Sequence, residues 1–125
     1  MKITNFERKR VLIVARHSPY GSSIARASLD AALAAAAFEL PVSLLFAGDG
    51  VLQLLPEQDS AAVGVNNLGR LLASLPLYDI EHAYADAEAA ARYGLDLAAA
   101  PLPLRALDRK AMAELIRSHE HLLGF

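Results

Sequence analysis

Short apolar runs alternate with longer stretches of mixed polarity along this 125-residue chain. The first run, VLIVA at residues 11–15, is unbroken and rich in β-branched residues, which is typical of a parallel strand buried on both faces. VSLLF at residues 42–46 predicts a second strand of the same kind. Further strands are predicted at residues 80–85, 101–107 and 121–125. Two prolines weaken the fourth strand, which we therefore expect near an edge of the sheet.

Helices are predicted between these strands. Ser22 or Ser23 is suited to cap a helix that ends before Pro41, because the residue before a proline disfavours helical backbone angles. Residues 31–38 of this helix carry no polar side chain, so we expect that half to be buried on more than one side. Further helical segments are predicted at residues 51–55, 68–75, 87–94 and 109–119, the last two opened by Asp86 and Asp108.

The alternation of strands and helices predicts an α/β fold, a three-layer α/β/α sandwich with a mostly parallel five-stranded sheet. In such sheets ligands gather at the carboxyl ends of the strands. The loop HSPYGSS (17–23) follows the first strand, the turn AGDG (47–50) follows the second, and Asp86 follows the third. We therefore expect all three on one edge of the molecule. Residues 57–67 lack strong periodicity and are assigned to no element.

Composition narrows the class of protein. Hydrophobic residues make up 54% of the chain and the mean hydropathy is +0.28, an apolar excess that indicates a deeply buried alanine-rich helix or a surface that meets a partner. The net charge of −2, with dispersed basic residues, argues against direct binding of nucleic acid. No run is long enough to span a membrane, and the first ten residues lack the apolar centre of a signal peptide, so we expect a cytoplasmic protein.

The absence of cysteine from the sequence excludes a disulfide framework, a thiolate metal site and a cysteine nucleophile. His82, His119 and His121 belong to no metal-binding motif, because no Asp, Glu or His completes a ligand set at suitable spacing. We therefore predict no metal and no cofactor.

The loop HSPYGSS has the composition of an active-site loop. A phosphate loop would need a lysine beside a serine or threonine, or three spaced glycines, and neither is present. Catalysis by His17 with a neighbouring serine lacks the G-x-S-x-G turn that presents a nucleophilic serine. The favoured interpretation is a Pro-Gly turn with a serine cap, in which His17 and Tyr20 face the edge of the site. A stand-alone anion- or nucleotide-binding domain that uses residues 17–23 is the alternative.

The segment FAGDGVLQLL (46–55) is more informative. Gly48 and Gly50 permit positive φ angles, and Asp49 can accept hydrogen bonds from nearby backbone amides. The short helix behind them carries more apolar side chains than one core-facing stripe needs. Two interpretations stay open: a capped turn with buried leucines, or a contact with another subunit.

Three stretches resemble the DsrE/DsrF-like sulfur-relay proteins, and within them the TusC/DsrF branch. They are residues 25–58, which include DGVLQLLPEQ, residues 75–96, which include LYDIE, and the terminal HLLGF. The resemblance begins at Lys9, so residues 9–125 are expected to form a single domain behind an N-terminal extension at residues 1–8.

The resemblance implies a subunit of a TusBCD-type complex that passes persulfide sulfur toward 2-thiouridine at the wobble position of tRNA. Its partners would be TusB-like and TusD-like subunits in a heterohexamer, linked indirectly to a TusE-like sulfur acceptor. A DsrF-like subunit of a DsrEFH complex in dissimilatory sulfur oxidation is the alternative. Neither role involves a membrane or direct contact with nucleic acid.

In this family a cysteine on the DsrE/TusD-type subunit carries the sulfur, where the third strand meets the following helix. The matching residue in this chain is Asp86. A helix N-terminus would stabilise a thiolate there, but a carboxylate cannot hold a persulfide, so the resemblance implies a non-catalytic subunit. The residues expected at the subunit interface are Phe38, Phe46, Asp49, Val51, Leu52, Leu55 and Tyr78.

Overall fold

The computed structural model of the chain describes residues 10–20, 23–55 and 68–125. Within these ranges the chain forms five strands: β1 (Val11–Ala15), β2 (Val42–Phe46), β3 (His82–Asp86), β4 (Arg105–Leu107) and β5 (His121–Gly124). The same ranges contain four α-helices: α1 (Ile24–Ala37), α2 (Leu68–Ser74), α3 (Ala87–Arg92) and α4 (Arg109–Arg117). Short 3-10 helices lie at Gly48–Leu54, Leu75–Tyr78 and Leu97–Ala99.

The strands form one parallel sheet in the order β4-β3-β2-β1-β5. Every residue of β1 and β2 is buried, because unbroken apolar strands are stable only where both faces are covered. The proline-weakened strand β4 is three residues long and lies at an edge. The predicted parallel α/β sheet is confirmed.

Two unequal helical layers cover the sheet. Helices α1, α2 and α3 pack on one face over the main core, whereas Met112 and Leu115 of α4 pack on the other face against Leu12, Val14 and Leu45. The division follows from the strand order. The chain moves from β1 to β4 in one direction and returns past β1 to β5, and right-handed crossovers in opposite directions place their helices on opposite faces. The arrangement is the predicted three-layer sandwich.

Helix α1 differs from its prediction in two ways. Ser23 stands at its N-cap, but the serine side chain makes no capping hydrogen bond. In the second half of the helix Ala32 is fully buried, whereas Phe38, directly after the helix, is 80% exposed. The expected burial on more than one side is therefore wrong for the isolated chain, because α1 rests on the sheet through one side and no described element covers its outer side.

The remaining differences are local. The helix predicted at residues 51–55 is a 3-10 helix that begins earlier, at Gly48. Strand β3 begins at His82, two residues later than predicted, because a left-handed residue, Asp79 with φ of 66°, ends the preceding 3-10 helix. The unassigned residues 57–67, Gly21 and Ser22 lie outside the described residues. None of the helices in the described ranges is long and apolar enough to cross a membrane.

Candidate functional site

The loop after β1, the turn after β2 and the end of β3 meet at the carboxyl edge of the sheet, as the sequence predicts. The Gly48 N–H donates a hydrogen bond to Asp86 Oδ2 at 3.1 Å, which joins the second and third of these segments. The Gln53 side-chain Nε2 donates to the His17 carbonyl at 2.9 Å, which joins the first and second. These two side chains hold the edge together.

Asp86 is the last residue of β3 and the N-cap of α3. Its Oδ1 accepts the Ala89 N–H at 3.1 Å, in the helix-capping role that the sequence predicts. The other carboxylate oxygen accepts the Gly48 N–H. Both oxygens of this half-buried side chain therefore accept structural hydrogen bonds. Asp86 connects the turn after β2 to the first turn of α3.

The two glycines of the turn serve different purposes. Gly48 has a φ of +54°, a left-handed conformation that glycine adopts without strain. Gly50 is not among the described residues with positive φ. A Cβ on Gly50 would stand 1.9 Å from the Ala15 carbonyl oxygen. Glycine is required there because the turn passes against the end of β1.

A hydrogen bond that the sequence analysis missed connects this turn to the end of α3. The Tyr93 hydroxyl donates to the Asp49 carboxylate, and the Arg92 guanidinium lies 5.8 Å from the centre of the Tyr93 ring. The hydrogen bond to Asp49 raises the pKa of the Tyr93 hydroxyl above its usual value of 10.0, and the Arg92 charge opposes this shift. No local sequence signal predicts the pair, since 44 positions separate its members.

Gln53 is the second site residue that the sequence analysis missed. Its side chain is fully buried, and its amide holds the carbonyl of the loop after β1. A signal was present, because Gln53 is the single polar residue of the apolar run VLQLL. A buried amide is stable only when it is hydrogen-bonded, so a polar residue inside such a run indicates a specific acceptor.

The loop after β1 has no arrangement typical of catalysis in its described part, residues 16–20. Pro19 is buried, whereas His17 and Tyr20 are exposed. The Ser18 hydroxyl accepts the Tyr20 N–H at 3.3 Å and donates to the Tyr20 carbonyl at 3.4 Å. This serine therefore stabilises a local turn and is not paired with His17.

The predicted interface residues do not form one cluster. Phe46 and Val51 are 0% exposed within the main core, so they offer no surface to a partner and do not belong to an interface.

The other predicted interface residues lie at two opposite edges of the sheet. Asp49, Leu52 and Leu55 lie at the carboxyl edge, after β2. Phe38 and Tyr78 precede β2 and β3, so they lie at the opposite edge, about 16 Å away along a five-residue strand. The sequence analysis missed Leu77, which is 83% exposed beside Tyr78.

Metal binding has no support in the described ranges. Residues 10–20, 23–55 and 68–125 hold no group of three or more His, Cys, Asp or Glu side chains that could bind a metal ion. His82 and His119 line a cavity at the amino ends of the strands, whereas His121 lies on the edge strand β5.

A small three-layer α/β domain with a parallel sheet and a polar carboxyl edge is the class that this structure defines. The model of the DsrE/DsrF-like family matches residues 9–125, and the chain belongs to this family.

Three curated relatives are named TusC or TusC homolog. A TusC homolog of Pseudomonas aeruginosa is 34% identical over 113 residues, which cover 90% of this chain and 95% of that protein. TusC of Klebsiella pneumoniae is 42% identical over 88 residues, 70% of this chain and 74% of that protein. A TusC homolog of Vibrio parahaemolyticus is 34% identical over 110 residues, 88% of this chain and 93% of that protein.

Two solved structures have the same fold. The YchN protein of E. coli superposes with a TM-score of 0.76 at 23% identity and covers 94% of this chain and 99% of its own. A conserved protein of unknown function from Bacteroides thetaiotaomicron gives a TM-score of 0.67 at 11% identity, with 99% and 100% coverage. At these identities the likeness concerns the fold alone.

Proposed function

We propose that this chain is a non-catalytic subunit of a TusBCD-type sulfur-relay complex, which passes persulfide sulfur toward 2-thiouridine at the tRNA wobble position. Relatives named TusC, matched over most of the chain, support membership of such a complex. The single observation that carries the non-catalytic role is Asp86 at the junction of β3 and α3.

Asp86 stands where the family resemblance places the sulfur-carrying cysteine of the TusD-like subunit. Transfer of a persulfide needs a thiolate that attacks and a sulfur that leaves. A carboxylate supplies neither, and the sequence contains no cysteine elsewhere. Both carboxylate oxygens are engaged by backbone N–H groups. The chain therefore acts on the relay through the shape and position of its partners.

Exposed apolar side chains support the partner role. Phe38 is 80% exposed and Tyr78 is 55% exposed, while Leu52 and Leu55 are partly exposed. Large apolar groups that remain open on a small domain favour contact with another protein. An interface of ordinary size buries about 800 Å² on each partner. Such an area is wide enough to include exposed residues at both ends of the layer formed by α1, α2 and α3. We assign this layer to contacts with TusB-like and TusD-like subunits in a heterohexamer; the TusE-like acceptor is reached through those partners.

Coexpression tests the assignment. The chain is produced alone and together with TusB-like and TusD-like subunits from the same genome, and each preparation is analysed by size-exclusion chromatography with light scattering. The proposal predicts one complex that contains all three chains in equal amounts. A monodisperse monomer whose yield and elution volume do not change in the presence of the partners contradicts it.

A further inference from the structure

A second polar site lies at the opposite edge of the sheet from Asp86. There a cavity of about 470 Å³ opens between the amino ends of β2 and β3 and the end of α4, on the face that α4 covers. Cavities of a few hundred Å³ that combine apolar walls with a few converging polar groups are typical of small-molecule sites. The polar residues that line this one include Arg10, Ser43, Asp79, His82, Tyr84 and His119.

Ser43 is the residue that singles out this cavity. It lies in the middle of the sheet on β2, is 8% exposed, and its side chain points to the same face as Leu45. Its hydroxyl has no hydrogen-bond partner among the residues that the structure describes. Ser43 lines the cavity and its hydroxyl is not among the fully buried unpaired polar atoms of the described residues. The hydroxyl is therefore open to the cavity and placed to bond to a molecule there.

His82 extends this polar patch along the sheet. It pairs directly with Ser43 in the register of β2 and β3, so both side chains project from the same face. The His82 side chain is exposed to the cavity mouth and to solvent. Ser43 and His82 therefore provide two adjacent hydrogen-bonding groups on the face that α4 covers.

Arg10 and His119 add polar side chains to the lining of the cavity. The Arg10 guanidinium is fixed by a hydrogen bond from Nη2 to the Ser118 carbonyl and by Glu120, 3.8 Å from Nε. These contacts leave other N–H donors of its five free to bind a ligand. His119 Nδ1 lies 2.9 Å from the Leu115 carbonyl and 3.1 Å from the Ser118 hydroxyl, and these contacts hold the imidazole at the end of α4.

We propose that this cavity binds a small oxyanion, a phosphate or carboxylate group, through the Ser43 hydroxyl, the His82 imidazole and the Arg10 guanidinium. Arg10 is the one guanidinium and Asp79 the one carboxylate among the described lining residues. Asp79 is suited to accept the proton of a hydrogen phosphate. A bare metal ion does not fit, because the described residues form no group of ligands for one.

Equilibrium dialysis with radiolabelled inorganic phosphate tests this site, at fixed ionic strength and near neutral pH, on the chain in the assembly in which it purifies. A parallel series uses radiolabelled acetate. The site predicts saturable uptake of one anion per chain, and Ser43→Ala and His82→Gln should each weaken it about tenfold, the loss expected for a hydrogen bond to a charged group. His121→Gln, an exposed histidine on β5 that does not line the cavity, should leave uptake unchanged.

The two anions separate the sources of the ligand: uptake of phosphate alone identifies a phosphate group, and uptake of acetate identifies a carboxylate. His82→Gln alters an exposed side chain, so it keeps the test decisive if Ser43→Ala does not fold. Uptake of neither anion, or equal uptake by the wild-type, His82→Gln and His121→Gln chains, overturns the proposal. This test is independent of the proposed relay function, since it compares variants within one assembly.

Discussion

Asp86 and Gly48 are joined by a 3.1 Å hydrogen bond that ties the end of β3 to the turn after β2, 38 residues earlier in the chain. The same carboxylate caps α3 through the Ala89 N–H. Because Asp86 accepts one hydrogen bond from α3 and another from a distant turn, it fixes the relative positions of these segments at the carboxyl edge. In the proposed relay, this edge keeps the shape of a sulfur site while its chemistry belongs to a partner.

Replacement of Asp86 by alanine should destabilise the chain more than removal of an ordinary helix cap. Asp86→Ala removes acceptors for two backbone N–H groups, and we expect a loss of about 2–3 kcal/mol in the free energy of unfolding. The matched control is Asp108→Ala, because Asp108 caps α4 through the Ala111 N–H alone and should cost about 1 kcal/mol. Urea unfolding followed by circular dichroism measures both. Equal losses would show that the bond to Gly48 adds nothing.

The bridge from Tyr93 to Asp49 should make stability depend on alkaline pH. The folded-state pKa of Tyr93 is raised, so the stabilisation from its hydroxyl is present below the unfolded pKa of about 10 and is lost as pH rises through the higher folded value. Tyr93→Phe should therefore be less stable than the wild type at pH 8, and the difference should shrink at more alkaline pH.

The ionisation of Tyr93 can be followed directly, as the difference in absorbance at alkaline pH between the wild type and Tyr93→Phe. The midpoint of this ionisation should lie above the usual value of 10.0. It should move down in Asp49→Asn, because this variant lacks the carboxylate that accepts the hydrogen bond of the Tyr93 hydroxyl. An unchanged midpoint in Asp49→Asn rules out the bridge as the cause.

Gly50 and Gly69 offer a test of close backbone approach. Gly50→Ala places a Cβ 1.9 Å from the Ala15 carbonyl oxygen, so β1 or the turn must move, and we expect a loss of at least about 3 kcal/mol or no folding. A Cβ on Gly69, in α2, meets no atom of the described residues within 4 Å, so Gly69→Ala should be neutral or stabilise by about 0.5–1 kcal/mol. Thermal unfolding compares the two, and similar melting temperatures would contradict the close approach.

Leu52 should be needed for assembly and dispensable for folding. It is partly exposed beside the buried Val51, so Leu52→Asp should leave the circular dichroism spectrum intact while a carboxylate buried against a partner breaks the complex. Ile116→Asp is the control, since Ile116 is 37% exposed on α4, across the sheet. Size-exclusion chromatography of the coexpressed subunits measures assembly. A complete complex with Leu52→Asp removes this segment from the interface.

The strands buried on both faces were predictable to the residue, and the contacts between distant segments were not. VLIVA and VSLLF match β1 and β2, because burial on both faces leaves a pattern in the strand itself. Phe46 was misassigned to the interface because its apolar character fits a core and a contact equally, and only the packing of α1 to α3 on that face decides. The pairing of Tyr93 with Asp49 depends on tertiary structure in the same way.

Sulfur tracing tests the central claim most directly. TusB-like and TusD-like subunits are combined with a cysteine desulfurase and radiolabelled cysteine, with and without this chain, and persulfide-bound label on each subunit is measured after separation without reductant. The account predicts label on the TusD-like subunit, none on this chain, and a large loss of transfer to the TusE-like acceptor when this chain is omitted. Transfer at the full rate without this chain, or label retained on the chain itself, would contradict it.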